Sequence, residues 1–467
     1  MDLYHGREYY TLSGWDDSTG SFSAVTLPTI TKTGYTCGWT TTATNATTIT
    51  YASGSSLTPT ANITLYGVCN IKNNLSLKIS FDSTYVSSIA VKTGSASGTT
   101  VGTVSTSGNS VTGLTYDTAY YLVPTYTTGS VLNSWAKDSG AVGTLSSTSA
   151  ANPTYTIGDG TNAVTHSGKR ATYTVTLKKC SATNTPTSST TATYYSTTLG
   201  ALATLPTKSS FTISGFTAPA GNNASGATVS STTSLTATNT FNGWHIGSCA
   251  SPGTLVASSA STPALQASVS GYTDSSKHWT RTSAATLYAG FTTQAKTLPT
   301  ITKTGGFACG WTATSSGATD FTYASGASIT PTANTTLYGV CKCPANTICY
   351  DKNATSGVEG TMGGLTITST ATSATLLASN YSRSGYGYAG WNTNAAGTGT
   401  NYGPNEDIAF TAGQYSATGL TLYTKWVASA GNIQNWNGCD SLASGAVTAL
   451  TDQRDNQVYA IAKLADG

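Results

Sequence analysis

Apolar positions along the chain alternate with polar ones in short runs and do not settle into a helical period. Leu75-Ser-Leu-Lys-Ile-Ser-Phe81 and Ala171-Thr-Tyr-Thr-Val-Thr-Leu177 keep the period of two that sends successive side chains to opposite faces of a strand. The stretch from Val111 to Val123 reads as further strand, and Trp135 stands in another short run. Clusters of Gly, Ser and Asn separate these runs, as turns require. In Leu65-Tyr-Gly-Val-Cys69 the same alternation puts Leu65, Gly67 and Cys69 on one face. The pattern predicts an all-β chain built from many small sheets.

That pattern repeats. Residues 27–69 read LPTITKTGYTCGWTTTATNATTITYASGSSLTPTANITLYGVC. Residues 298–341 read LPTITKTGGFACGWTATSSGATDFTYASGASITPTANTTLYGVC, nearly the same text with one inserted Gly. A diverged copy runs from Leu377 through Gly385-Tyr-Gly-Tyr-Ala-Gly-Trp391 to Leu422-Tyr-Thr-Lys-Trp426. A stretched one carries Phe241-Asn-Gly-Trp244 and closes at Leu287-Tyr-Ala-Gly-Phe291; Thr204-Leu-Pro-Thr207 and Gly215-Phe216 leave its internal register open. The shared skeleton is a Pro-containing lead, a Gly-aromatic turn, a Gly-Trp strand, a polar loop and a Leu-Tyr closing strand. Trp39, Trp244, Trp311, Trp391 and Trp426 are expected as the large core residues of these modules.

The G-Y-x-x-x-G-W motif followed by L-Y-x-x-W resembles the Listeria–Bacteroides repeat, the internalin B-type repeat of bacterial surface proteins. The resemblance covers roughly half the chain. It implies β-grasp-like small modules in tandem on secreted or wall-associated proteins. Repeats and composition then divide the chain into a β repeat module at 1–72, a β-rich surface module of a different type at 73–179, and a stretched repeat at 180–296. A near-copy of the first module follows at 297–349, the Listeria–Bacteroides-like repeat at 350–430, and the start of a C-terminal domain at 431–467.

Composition sharpens this picture. Ser and Thr make up about a third of the residues, charged residues only 8%, and Glu occurs only at positions 8, 359 and 406. The strong helix formers are scarce, while 27 Tyr and 9 Trp supply small aromatic cores and argue against disorder. A net charge of +3, spread thinly, gives no basic stripe for nucleic acid or anionic membrane. No apolar run reaches transmembrane length, and the N-terminal residues do not read as a signal peptide. On that reading a secreted protein would carry its export signal upstream. The stretch 178–197 reads as a linker plus a first strand.

Nine cysteines speak to compartment. Cys37 and Cys69 recur as Cys309 and Cys341 at the same spacing, whereas the other copies replace them with Ala389 and Trp426, or Asn242 and Phe291. Pairs present or absent together predict the disulfides Cys37–Cys69 and Cys309–Cys341, each stabilising its module by roughly 3–4 kcal/mol. Cys343–Cys349 is expected as a tight local loop at a module exit, and Cys180–Cys249 by elimination. Disulfides imply an oxidising compartment, and Cys341-Lys-Cys343 lacks the His or second CxxC of a zinc site.

Chemistry is sparse. Gly385-Tyr-Gly-Tyr-Ala-Gly390 matches a dinucleotide fingerprint but precedes no helical pattern, so its glycines belong to the repeat turn. His5, His166, His245 and His278 are scattered and expected at or near the surface. Asp16-Asp17 and Glu406-Asp407 are weak calcium candidates beside turns. Six sequons, at Asn45, Asn62, Asn74, Asn223, Asn334 and Asn353, carry little weight in a Thr-rich chain. No nucleophile elbow, HExxH or P-loop is present. No catalytic, cofactor-binding or metal-binding residue is nominated.

Near the C-terminus the composition changes. Asp452, Arg454, Asp455, Gln457 and Tyr459 form a D-x-R-D-x-Q-x-Y core that resembles the opening of the Fibrobacter succinogenes major paralogous domain, with Asn456 at the usual Gly and expected in a left-handed turn. The resemblance implies a truncated domain start, poorly packed, with Val458 and Ile461 exposed and Cys439 left without a partner inside the chain. Together these readings suggest a non-catalytic, extracellular or cell-surface stalk or adhesin facing a host, cell-wall or glycan ligand. The alternative is a carbohydrate-binding protein with exposed Tyr and Trp platforms. Where the aromatics sit discriminates the two.

Overall fold

The computed structural model describes residues 23–219, 226–455 and 457–464, together with the backbone of the strand Tyr9–Leu12. Nearly half of the chain is strand, as the weight of Thr, Val, Ile and Tyr requires. The helical element among the described residues is the single 3-10 turn Ile433–Asn435. The residues group into two compact units. One comprises Met1–Cys180, Pro186–Leu205 and Gly243–Ala289; the other comprises Ser181–Thr185, Pro206–Asn242 and Gly290–Gly467.

One sheet plan recurs in both units. A first strand lies antiparallel to a second and parallel to the closing strand; the closing strand also pairs antiparallel with the Trp-bearing strand. This is the arrangement expected of a β-grasp module. In residues 75–170 the first strand Leu75–Phe81 sits between Ser110–Leu114 and the closing strand Asn162–Arg170, which pairs in turn with Ser130–Lys137. A second sheet, centred on Val86–Lys92 and Ala119–Tyr126, contributes to the same core, in which Trp135, Leu77, Ile79 and Leu122 are buried. In residues 347–428, Thr347–Asp351 runs parallel to Leu420–Asn432, and Tyr386–Asn392 pairs antiparallel with that closing strand. The segment expected at 73–179 to be a different type of module therefore carries the same plan. Its Trp135 occupies the Trp strand although the surrounding sequence shares no repeat text.

The Gly-aromatic turn has a specific structural task. Four turn glycines accept a backbone N–H through their carbonyls, each at 2.9 Å: Gly34 from Lys72 and Gly129 from Ala171, the residues just after closing strands, Gly305 from Tyr350 in the following first strand Thr347–Asp351, and Gly385 from Ser429 within the closing strand Leu420–Asn432. These glycines have φ of 81°, 67°, 90° and 76°, a region that side chains disfavour. At Gly34 and Gly305 space is closed as well, though not at Gly385: a Cβ on Gly34 would stand 2.1 Å from the Tyr116 ring, and one on Gly305 would stand 2.0 Å from the Tyr350 carbonyl oxygen.

The middle of the chain departs from a simple tandem array. One five-stranded sheet takes Thr172–Lys178 and Ser189–Thr193 as its first hairpin, then Asn239–Gly247, Pro252–Ala257 and the closing strand Ala285–Thr293. The next takes its Trp strand Ala308–Thr312 and closing strand Thr335–Lys342 from the repeat beginning at Leu298. Its first hairpin, however, comes from Phe211–Thr217 and Leu235–Ala237, upstream of the other sheet's Trp strand. The expected boundary at 296/297 therefore cuts through a sheet. The repeat at 180–296 is long because it contains two strands of its neighbour. Between them, Ala227–Val229 pairs with Ile301–Lys303 of the same neighbour.

A bulge makes the donated strand fit. Its ladder shifts between Ser214 and Thr217, where Gly215 adopts φ 83°, so that Ile213 and Phe216 are both buried despite odd spacing. Both enter a core with Leu298, Trp311 and Leu337, and the Phe216 and Trp311 rings meet edge to face at 5.1 Å.

At the C-terminus, Val447–Asp452 lies parallel to Leu420–Asn432 and forms a hairpin with Gln457–Ala462. Ala449 and Leu450 are fully buried, so the expectation of poor packing is corrected for this strand, whose apolar face covers the edge of the preceding sheet. Val458 and Ile461 are half-buried and not exposed, while the other residues of their strand face solvent. The Asp-rich core builds the turn itself: Asp452 accepts from the Arg454 amide and guanidinium, and Asp455 accepts from the Gln457 amide and the Tyr459 hydroxyl. The expected left-handed turn at Asn456 lies outside the described residues.

Candidate functional site

Cysteine placement follows from strand register. Cys37 faces Cys69, and Cys309 faces Cys341, as directly paired residues of antiparallel strands, and both pairs are bonded with Cα separations of 4.1 Å. Cys343–Cys349 closes a six-residue step at the exit of one sheet into the first strand of the next, and Cys180–Cys249 joins the end of a first strand to the loop after a Trp strand. Cys439 is exposed and carries no disulfide. In the Cys-free copy at 347–428 the residue opposite Trp426 is Tyr388, not Ala389. Gly390, at φ 99°, inserts a bulge between Tyr388 and Trp391 and shifts the register by one residue from the sequence alignment.

The repeat tryptophans are internal. Trp39, Trp244, Trp311 and Trp391 are 0–2% exposed, and Trp426 is half-buried against the core of its module. Three indoles use the same polar partner: Trp39 donates to the Pro28 carbonyl, Trp311 to that of Pro299 and Trp391 to that of Leu377, each at 2.9 Å. In the two near-identical copies the Pro of the lead is thus the acceptor that lets a buried indole keep its hydrogen bond, and in the third the Leu377 carbonyl serves instead.

Among the described residues ionisable groups in the interior are few, and sequence reasoning missed three of them, His166, Lys303 and Asp351. His166, expected near the surface, is 1% exposed. It lies in the closing strand Asn162–Arg170, where positions 162, 164 and 166 all face inward. Its ring stands edge-on to Trp135 at 4.4 Å, its Nε2 meets the Tyr126 hydroxyl at 3.1 Å, and burial lowers its pKa to about 4. Lys303 and Asp351 form an ion pair of 2.5 Å with side chains 2% and 0% exposed. Desolvation pulls the Lys303 ammonium below its ordinary pKa against the opposing pull of Asp351. His245 and His278 are half-buried, and His5 lies outside the described residues.

Two places present aromatic side chains with polar company. The first is an open cleft of about 740 Å³ beside the last repeat, lined by Glu359, Arg383, Tyr386, Tyr388, Trp426 and Val458 among others. The Arg383 guanidinium lies over Tyr386 at 3.9 Å, and the Tyr388 hydroxyl is buried without a hydrogen-bond partner. Burial holds that phenol far above its usual range. The second is Tyr195, 53% exposed and in a left-handed backbone (φ 65°), stacked on His278 at 3.9 Å. His278 in turn meets Asp274, and Arg170 approaches Tyr195 at 5.5 Å.

Among the described residues, Glu359 is the carboxylate of the first place and Asp274 that of the second. Among the described residues no three His, Cys, Asp or Glu side chains converge to hold a metal. Glu406 and Asp407 are occupied with the Gly403 amide and the Thr375 hydroxyl, while Asp16-Asp17 lies outside the described residues. Of the sequons, Asn353 spends its amide on the Ala395 and Thr424 carbonyls, and Asn223 lies outside the described residues. No family model, curated protein or solved structure matches the chain. Four disulfides are the chemistry of an oxidising compartment outside the cytoplasm.

Proposed function

We propose that this chain is a non-catalytic, extracellular or cell-surface stalk or adhesin whose β-grasp modules carry tension and hold a terminal domain away from the cell. The observation that supports this reading is the parallel pairing of first and closing strands in each recurring sheet. Chain enters a module at one end of that pair and leaves at the opposite end. A pull along the chain therefore drags the two strands past each other and loads their hydrogen bonds together, where a hairpin pulled from one end would open bond by bond. Disulfides within the modules shorten what a pull can release. Trp39, Trp244, Trp311 and Trp391 fit the same reading, because they serve the cores of their modules. The likeness to Listeria–Bacteroides repeats points in the same direction.

Pulling single molecules of the whole chain from its two ends tests this. The reading expects discrete high-force steps, with the released length increasing once the disulfides are reduced. Smooth extension at low force would overturn it.

The cleft at Tyr386, Tyr388 and Trp426 favours a second reading, carbohydrate binding. Aromatic faces suit the apolar face of a pyranose, and Glu359 and Arg383 could bond its hydroxyls. Titration with neutral oligosaccharides checks it; Tyr386→Ala should abolish any binding seen.

A further inference from the structure

We propose that Lys303 and Asp351 condense to an amide, an intramolecular crosslink that the folded chain makes from its own side chains. Position argues for it first. The alternation of Ile301–Lys303 turns Ile301 and Lys303 inward together, and Asp351 ends the first strand Thr347–Asp351 with a fully buried side chain. The Lys303 Nζ stands 2.5 Å from the Asp351 Oδ2, one bond away from the Cγ it would attack. Both segments are held in place. Tyr350 donates its N–H to the Gly305 carbonyl, and the Thr424 hydroxyl donates to the Asp351 carbonyl, each at 2.9 Å. A nucleophile fixed against its electrophile in this way needs no encounter in solution. With both side chains out of reach of solvent, the reverse hydrolysis also lacks its water.

The surroundings suit the chemistry. The Phe307 ring lies 4.2 Å from Nζ, and desolvation lowers the Lys303 pKa, which favours the neutral, nucleophilic amine. The Asn353 amide donates to Asp351 Oδ1 at 2.6 Å, where negative charge builds as Nζ adds to Cγ. A proton first passes from Nζ to Oδ2 along their hydrogen bond. The Nζ–Cγ bond then forms, the Cγ–Oδ2 bond breaks, and Oδ2 leaves as water with two of the three ammonium protons. Oδ1 becomes the amide carbonyl oxygen, and nothing is oxidised or reduced. The ion pair described above is the state before this step. The amide closes a covalent ring through residues 303–351, which contains the Trp strand Ala308–Thr312 and the closing strand Thr335–Lys342. A pull along the chain would then cross the amide and bypass everything between its ends. That mechanical consequence rests on the tension reading; the crosslink itself does not.

The repeat text provides an internal control, because Lys32 stands in the same Ile-Thr-Lys-Thr-Gly run but is exposed over Tyr35. The whole chain, refolded with its disulfides and incubated at neutral pH, is reduced, denatured, weighed by mass spectrometry and digested with trypsin. Its mass should fall one water below the mass of the sequence. Trypsin should cut after Lys32 but not after Lys303, and residues 297–342 should appear joined to residues 343–352. Chain held unfolded in urea throughout should keep its full mass. Full mass and a separate 343–352 peptide from the refolded chain would overturn the proposal. So would a water lost elsewhere, as at a succinimide of Asp159-Gly160, or an equal loss in urea.

Discussion

Ile213 pairs in parallel register with Thr335, and its side chain is fully buried in the core of a repeat whose own text begins at Leu298. The polypeptide thus builds the first hairpin of one sheet before it has finished the other. Chain connectivity thereby ties the two sheets together.

Cys180–Cys249 reinforces that tie. The loop it closes contains the whole donated hairpin, residues 211–237. Closing a loop of this length restricts the unfolded chain by about 4 kcal/mol. Replacing both cysteines with serine should therefore lower the denaturant midpoint by an amount of that order. Tryptophan fluorescence should report a larger loss than for the Cys343/Cys349 double serine variant, whose loop is much shorter.

His166 sets a pH dependence. Its folded pKa of about 4 lies below the ordinary 6.5, so the native state holds the ring neutral while the unfolded chain takes up a proton. Stability is then greatest above pH 6.5 and falls as the pH drops from about 6.5 to about 4, by about 3 kcal/mol in all. Denaturant titrations of the wild type and His166→Phe across that range check this. The variant should lose most of the slope.

Lys303 and Asp351 illustrate the cost of a buried ion pair. Asp351→Ala removes the carboxylate that offsets the burial of the ammonium and should destabilise the chain by about 3–5 kcal/mol. Adding Lys303→Met to that variant should recover a large part of the loss, since an apolar side chain suits the site. A strictly additive double variant would show that the two side chains do not act as a pair.

Much of this architecture was legible before any coordinates. Two near-identical copies tie Cys37 to Cys69 and Trp39 to a core position, because a covariant pair and a repeated Trp have a physical meaning in any sheet. Strand partners are harder. Phe211–Thr217 reads as strand from its own side chains, but local pattern carries no address, and the ladder it joins lies far along the sequence. Environment is hidden for the same reason. Lys32 and Lys303 stand in identical text, yet the first is exposed over Tyr35 and the second is buried against Asp351. His166 was within reach, since the alternation of its strand puts it on the inner face with Val164. The aromatic cleft was not, because Glu359, Arg383 and Trp426 come from three separate strands.

The first repeat should be dispensable to the rest. Among the described residues its sheet takes no strand from beyond residue 71, so a chain lacking residues 26–69 should keep the circular dichroism signal and exchange protection of residues 290–464. Loss of that protection would mean that the repeats fold only as a whole.

Hydrogen exchange of the Ile213→Asp variant tests the interleaving most directly. A charge at that position enters the core built around Trp311 and Leu337, although the substitution lies outside the repeat that bears them. The amides of Ala308–Thr312 and Thr335–Lys342 should lose protection, while those of Leu75–Phe81 and Asn162–Arg170 keep theirs. Full protection of the Trp311 strand in that variant would contradict the account.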